Sequence, residues 1–182
     1  RKLKKTIAFV GMMGAGKTAV GRAVAERLKI RFLDSDNEIE TAANMSVEEI
    51  FIRDGEEFFR DREAEVIRRL FEYEKCVIST GGGAFINADV RSIMKDHALS
   101  VWLKVDIDLL WLRVKNKENR PLLKTNDPFG SLKEIYDARQ KIYALADLIV
   151  ESEKDISIDA MADRVIDALI AREDVWEIED AS

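Results

Sequence analysis

One cysteine, one histidine and two prolines stand among the 182 residues, and no apolar run approaches the roughly 20 residues that span a bilayer. Cys76 alone cannot form an intramolecular disulfide, and with the lone His97 it makes no cluster at zinc spacing. A reducing compartment and a metal-free scaffold are expected. An excess of positive charge is also missing. Lys and Arg number 29 against 35 Asp and Glu, a formal charge of −6, and no long basic stripe runs along any segment, which argues against general nucleic-acid binding. The start, Arg1-Lys2-Leu3-Lys4-Lys5, leads into a short apolar segment without a cleavage-like small-residue site, so a cytoplasmic protein with no membrane partner is expected. A chain that opens on arginine instead of methionine is expected to have been trimmed or processed. Internal repeats and low-complexity segments are absent from the sequence. What is present, 47% hydrophobic and 35% charged residues, is the balance of one globular domain. At this length a chain buries roughly 70% of its unfolded surface, enough for a sizeable core.

Apolar runs of strand length alternate with segments of helical period. Strands are predicted at Thr6–Val10, Arg31–Leu33, Cys76–Thr80, Leu99–Leu103 and Leu148–Val150, with a helix over Thr18–Leu28 and helical stretches over 36–72 and Ser131–Leu145. The strands are rich in Val, Ile, Leu and Phe without polar alternation, as in a parallel sheet covered on both faces, which predicts an α/β sandwich. Breaks in the long helical stretch fall near Asn44-Met45-Ser46, where Ser46 and Glu49 make a capping-box pattern, and near Asp54-Gly55. Residues 116–130 hold Pro121, Pro128 and Gly130 among polar neighbours and read as a lid-like loop. Residues 1–172 are expected to form one domain, and 173–182 a solvated acidic tail.

Gly11-Met12-Met13-Gly14-Ala15-Gly16-Lys17-Thr18 matches the P-loop pattern in full, between a predicted strand and a predicted helix. Glycines at these positions let successive N–H groups turn toward a phosphate, and the positive end of the helix dipole points at the same anion. Lys17 is then placed to bridge the β and γ phosphates, and the Thr18 hydroxyl to ligate Mg²⁺.

Asp34 and Asp36 lie two apart beyond the second predicted strand, at the sheet edge where ligands of doubly wound folds bind. Two readings stand side by side: caps for the following helix, or a division of labour in which Asp34 holds magnesium through water and Asp36 orients an attacking hydroxyl. After the third strand, Ser79-Thr80-Gly81-Gly82-Gly83 calls for a close approach to the backbone or for positive φ, with Ser79 either just behind the metal's ligands or a routine strand-end hydroxyl. Arg60, Arg120 and Arg139 are either surface salt-bridge formers or the fixed cations that phosphoryl transfer needs beyond the P-loop lysine. Cys76 and His97 read as inert, a buried strand residue and a helix-end histidine.

Together these residues resemble the shikimate kinase family. The likeness runs from Ile7 to about Val150 through the P-loop, Asp34-Ser35-Asp36, Phe59-Arg60 with Glu63, Gly81-Gly82-Gly83, Arg120-Pro121-Leu122-Leu123, and Arg139 with Tyr143. It implies five parallel strands in the order 2-3-1-4-5, helices near residues 36–72 that bind the acceptor, a mobile lid at 116–130, and transfer of the ATP γ-phosphoryl group to the 3-hydroxyl of shikimate. By the same resemblance, Asp36, Arg60, Arg139 and the Gly81, Gly82, Gly83 run fall to shikimate. Gly14, Ala15, Gly16, Lys17, Thr18, Ala19 and Arg120 fall to ATP, with Arg113 packing on adenine, and Thr18 with Asp34 fall to Mg²⁺; Lys17, Asp36 and Arg120 would carry the reaction. A monomer is expected. Lys141 stands where the family usually has proline, and Met12 and Met13 stand where a basic residue is common. Two rivals remain to be separated: another small-molecule kinase such as a gluconate kinase, and a catalytically silent nucleotide-binding domain.

Overall fold

The structure, a computed structural model, describes residues 1–117 and 123–178. Five parallel strands form one sheet: β1 (Thr6–Val10), β2 (Phe32–Asp34), β3 (Val77–Ser79), β4 (Ala98–Lys104) and β5 (Leu148–Glu151). Their spatial order is 2-3-1-4-5, as the resemblance implied. Ile7 pairs with Val77 on one side and Leu99 on the other; Phe32 pairs with Val77, and Val101 with Leu148. Successive strand residues face opposite sides of a sheet. All five residues of β1 are buried, so both its faces are covered, which is why the run shows no alternation.

Seven α-helices supply the cover among the described residues: α1 (Lys17–Leu28), α2 (Ser35–Ala43), α3 (Val47–Phe71), α4 (Ala88–His97), α5 (Ile107–Val114), α6 (Pro128–Tyr143) and α7 (Ile158–Ile170). Helix α1 packs on α7 and lies against β2 and β3, while α4 packs on α3 and against β4. Ser46 caps α3 by accepting from the Glu49 N–H at 3.1 Å, as its sequence pattern predicts. Gly55, at φ 87 and ψ 168, breaks the helical path inside α3 at the expected place. The buried apolar side chains form one cluster around β1 and β4. No described helix is long and apolar enough to cross a membrane.

Two expectations require correction. The predicted loop over 116–130 ends early, because Asp127 caps α6 by accepting from Gly130 N at 3.0 Å and Pro128 occupies its first turn, where a missing N–H costs nothing. Of that loop, residues 118–122, and Arg120 with them, lie outside the described residues. The C-terminal segment is not solvated throughout. Glu173–Val175 form a 3₁₀ turn, Val175 and Trp176 are buried, and Trp176 bridges to Leu3. Acidic neighbours hid these two apolar residues, whose partner lies at the opposite end of the chain.

Candidate active site

The loops that leave β1, β2 and β3 converge at the C-terminal edge of the sheet. Gly16 caps α1 in a left-handed conformation (φ 92, ψ 16) with no side chain to satisfy the first turn, leaving its N–H groups for an anion. Gly14 also has positive φ, and a Cβ there would lie 2.6 Å from Val114 Cγ1. Lys17 is buried and folds back over the loop, its Nζ donating to Gly11 O at 2.6 Å and Met12 O at 3.0 Å. Arg113 Nη1 donates to Gly14 O at 3.1 Å. These residues, with Thr18, Ala19, Asp34 and Ser79, line a cleft of about 510 Å³.

Thr18 Oγ1 donates to Asp34 Oδ2 at 3.1 Å and lies 3.3 Å from Ser79 Oγ. Asp34 Oδ1 meanwhile accepts from Asp36 N at 2.9 Å and Asn37 N at 3.2 Å. The cap reading of Asp34 is thus met by one oxygen, while the other faces the P-loop threonine. The resulting donor set, a hydroxyl pair and one carboxylate, is all oxygen. Among the described residues no cluster of three His, Cys, Asp or Glu is arranged to hold a metal by itself. Mg²⁺ bound mainly through nucleotide phosphates and water needs just such a sparse oxygen set, and the residues fit it.

A second cavity of about 290 Å³ adjoins the first, lined by Asp36, Arg60, Glu63, Arg139 and Gly81–Gly83, with Phe51 and Phe59 on its apolar side. The glycine run has a specific cause. A Cβ on Gly81 would lie 2.7 Å from Asp36 Oδ1, one on Gly82 would lie 3.4 Å from Arg139 Nη1, and one on Gly83 would collide with the Arg60 guanidinium. Gly81 and Gly83 thus admit Asp36 and Arg60, while a Cβ on Gly82 would be in ordinary contact with Arg139. Close approach, not positive φ, is the requirement, since none of the three has positive φ.

Arg60 is held by Glu63 Oε1 at 2.9 Å and stacks over Phe59, its Cζ 5.1 Å from the ring centroid. Glu63 is fully buried, and burial foremost, with Asp36 adding to it, pushes its carboxyl up to about 7 against the pull of Arg60. The Asp36 carboxyl is raised as well, by burial and by Asp34, with Lys17 and Arg60 opposing. Asp36 Oδ1, Glu63 Oε2 and Arg139 Nη1 are buried without a hydrogen-bond partner, and all three line this one cavity. Converging unpaired groups of both signs mark a place built for a polar ligand. Asp36, Arg60 and Arg139 come together as the sequence predicts, and Gly14–Ala19 meet Asp34 and Arg113. Glu63 and Tyr143 received no role from the sequence. The spacing of Glu63 one helical turn after Arg60 was the available signal.

A family model described as shikimate kinase matches residues 13–170. The chain belongs to the shikimate kinase family. The shikimate kinase of Ruegeria pomeroyi is 58% identical over 176 residues, covering 97% of this chain and 90% of that protein. That of Cereibacter sphaeroides is 52% identical over 179 residues, covering 98% and 89%. Among solved structures, a shikimate kinase from Acinetobacter baumannii in complex with shikimate superposes with a TM-score of 0.89 at 34% identity, covering 93% of this chain and 94% of that one. At such similarity the shikimate kinase likeness extends through both cavities and through the P-loop fold that carries them.

Proposed function

We propose that the chain transfers the γ-phosphoryl group of ATP to the 3-hydroxyl of shikimate, giving shikimate 3-phosphate and ADP. Membership of the family makes it a shikimate kinase, a phosphotransferase using ATP in the shikimate pathway that leads to aromatic amino acids. The observation that carries the assignment is the shared wall of the two cavities: Met13, Asp36, Gly81 and Gly82 line both. A donor phosphate over the P-loop and an acceptor hydroxyl beside Asp36 are then neighbours, as direct transfer requires.

Asp36 accepts the hydrogen bond of the attacking hydroxyl and takes its proton as the new oxygen–phosphorus bond forms and the bond to ADP breaks. Its raised pKa suits that task. Arg60 and Arg139 offer planar guanidinium forks to the acceptor carboxylate, with Gly83 giving Arg60 room, Gly82 beside Arg139 and Gly81 admitting Asp36. Lys17 leaves the carbonyls of Gly11 and Met12 for the phosphates, which Gly14, Ala15, Gly16, Thr18 and Ala19 surround. Arg113 packs on adenine, and Arg120, outside the described residues, serves the phosphates from a lid that ends where α6 begins at Pro128. Thr18 and, through water, Asp34 would hold Mg²⁺, which neutralises phosphate charge when bound with ATP. The described residues act as one domain whose core takes in Val175 and Trp176, a monomer in the cytoplasm.

An assay coupled to ADP release, with shikimate, gluconate and a nucleoside monophosphate offered in parallel, tests the reading. Turnover is expected with shikimate alone. Preferential use of gluconate would assign the chain to another kinase of this fold, and ATP binding without turnover on any acceptor would make it a silent domain.

A further inference from the structure

Tyr143 closes α6 one helical turn beyond Arg139, and its side chain is entirely buried. Its hydroxyl donates to the carbonyl of Gly82, 61 residues away in sequence, and lies 4.0 Å from Met12 Sδ in the P-loop. The ring packs against Trp102 of β4, centroids 5.8 Å apart and planes at 33°. Gly82 is also packed against its neighbours. Arg139 Nη1 and Met13 N each lie 3.4 Å from where its Cβ would be, and Gly11 O lies at 3.7 Å. One phenol thus ties together three parts that come from distant stretches of chain: the glycine loop, the helix that bears Arg139, and the P-loop.

We propose that Tyr143 is a positioning residue for the acceptor: its hydroxyl pins the Gly82 carbonyl, and so fixes the glycine loop and the Arg139 guanidinium in the geometry that grips the acceptor carboxylate. Arg139 Nη1 is buried without a hydrogen-bond partner and its side chain lines the acceptor cavity, so its exact placement bears on affinity. Phenylalanine and tyrosine fill nearly the same volume, and the burial that raises the Tyr143 pKa keeps the phenol protonated, hence a donor, at every working pH. Three further groups face it. Arg139 and Arg60 act to lower that pKa and Glu63 to raise it, and burial outweighs them all.

The inference rests on the assignment of Arg139 and Gly81–Gly83 to the acceptor, and the test separates the two. Tyr143→Phe and the unaltered protein are compared by steady-state kinetics and by amide hydrogen exchange without substrate. The KM for shikimate is expected to rise about tenfold, the loss of one buried hydrogen bond, with the KM for ATP and kcat within about twofold. Exchange should quicken at Gly81 and Ala84, whose amides donate to Ser35 Oγ and Gly81 O, and stay unchanged in α1. Faster exchange with an ATP effect in place of a shikimate effect would retain the pin but overturn its service to the acceptor. In that case Arg139→Lys shows whether the acceptor assignment itself has failed. Unchanged exchange overturns the proposal outright, as does an insoluble variant, because the hydroxyl would then be holding the fold and not the loop.

Discussion

Gly83 shows how narrowly single residues are constrained in the acceptor cavity. Its backbone needs no unusual dihedral angle, and alanine would be an ordinary residue there but for the Arg60 guanidinium resting against the α-carbon. That guanidinium ends a flexible side chain, so a methyl group at position 83 displaces the arginine and leaves the loop in place. Gly83→Ala should therefore fold with thermal stability close to that of the parent and raise the KM for shikimate about tenfold or more, the worth of one charge-assisted hydrogen bond. ATP affinity should be nearly unaffected, since the three heavy atoms nearest the added methyl group all belong to Arg60. Steady-state kinetics with both substrates varied, alongside a melting curve, check this. A variant that melts early with unaltered KM would show that the glycine serves the backbone instead.

Helix α3 carries Arg60 and Glu63 on one face, and the Glu63 carboxyl is the most perturbed acid on that element. With its pKa raised from 4.5 to about 7, the folded protein retains a proton that the unfolded chain gives up between those values. The contribution of Glu63 to stability is thus fully present below about pH 4.5, falls as pH rises toward 7, and is flat above. A shift of this size is on the order of 3 kcal/mol. Glu63→Gln, which mimics the protonated form, should gain stability relative to the parent between pH 5 and pH 8, as urea unfolding at the two pH values would register; a constant difference would contradict it. Elements such as α3 also show where reading the sequence works. The β1–P-loop–α1 unit, the Ser46 cap, the Gly55 break and the runs of β4 and β5 are local patterns, so the sequence displays them, and the strand order came with the family likeness. Asp36, Arg60 and Arg139 were singled out for the same reason, each inside a recognisable motif, and they line one cavity. Glu63 and Tyr143 stand in the same motifs but received no role there, because their roles depend on what folding adds: full burial beside Arg60 for the first, and the Gly82 carbonyl across the sheet edge for the second.

At the scale of the whole molecule, the two chain ends close the fold at the side away from the chemistry. Lys4 N donates to Val175 O and Glu177 N to Lys2 O, both at 2.8 Å, and Trp176 Nε1 donates to Leu169 O at 2.9 Å. This junction precedes β1, whereas the P-loop follows it. Five residues of strand, about 17 Å, keep the two apart. Deleting a buried aromatic side chain costs about 3–5 kcal/mol, and a domain of this length loses roughly 2–4 °C of melting temperature per kcal/mol. Trp176→Ala should accordingly lower the melting temperature by about 10 °C while leaving kcat and both KM values within about twofold below that temperature. The central strand of the sheet is buried on both faces and anchors the P-loop, so a lost indole is expected to be absorbed as a cavity near α7 instead of a shift of the P-loop. Thermal unfolding and steady-state kinetics on the same preparation decide the matter. A fall in kcat or a rise in either KM of tenfold at a temperature where the variant is fully folded would mean that β1 transmits strain along its length, and that the C-terminal segment takes part in setting the geometry of the site.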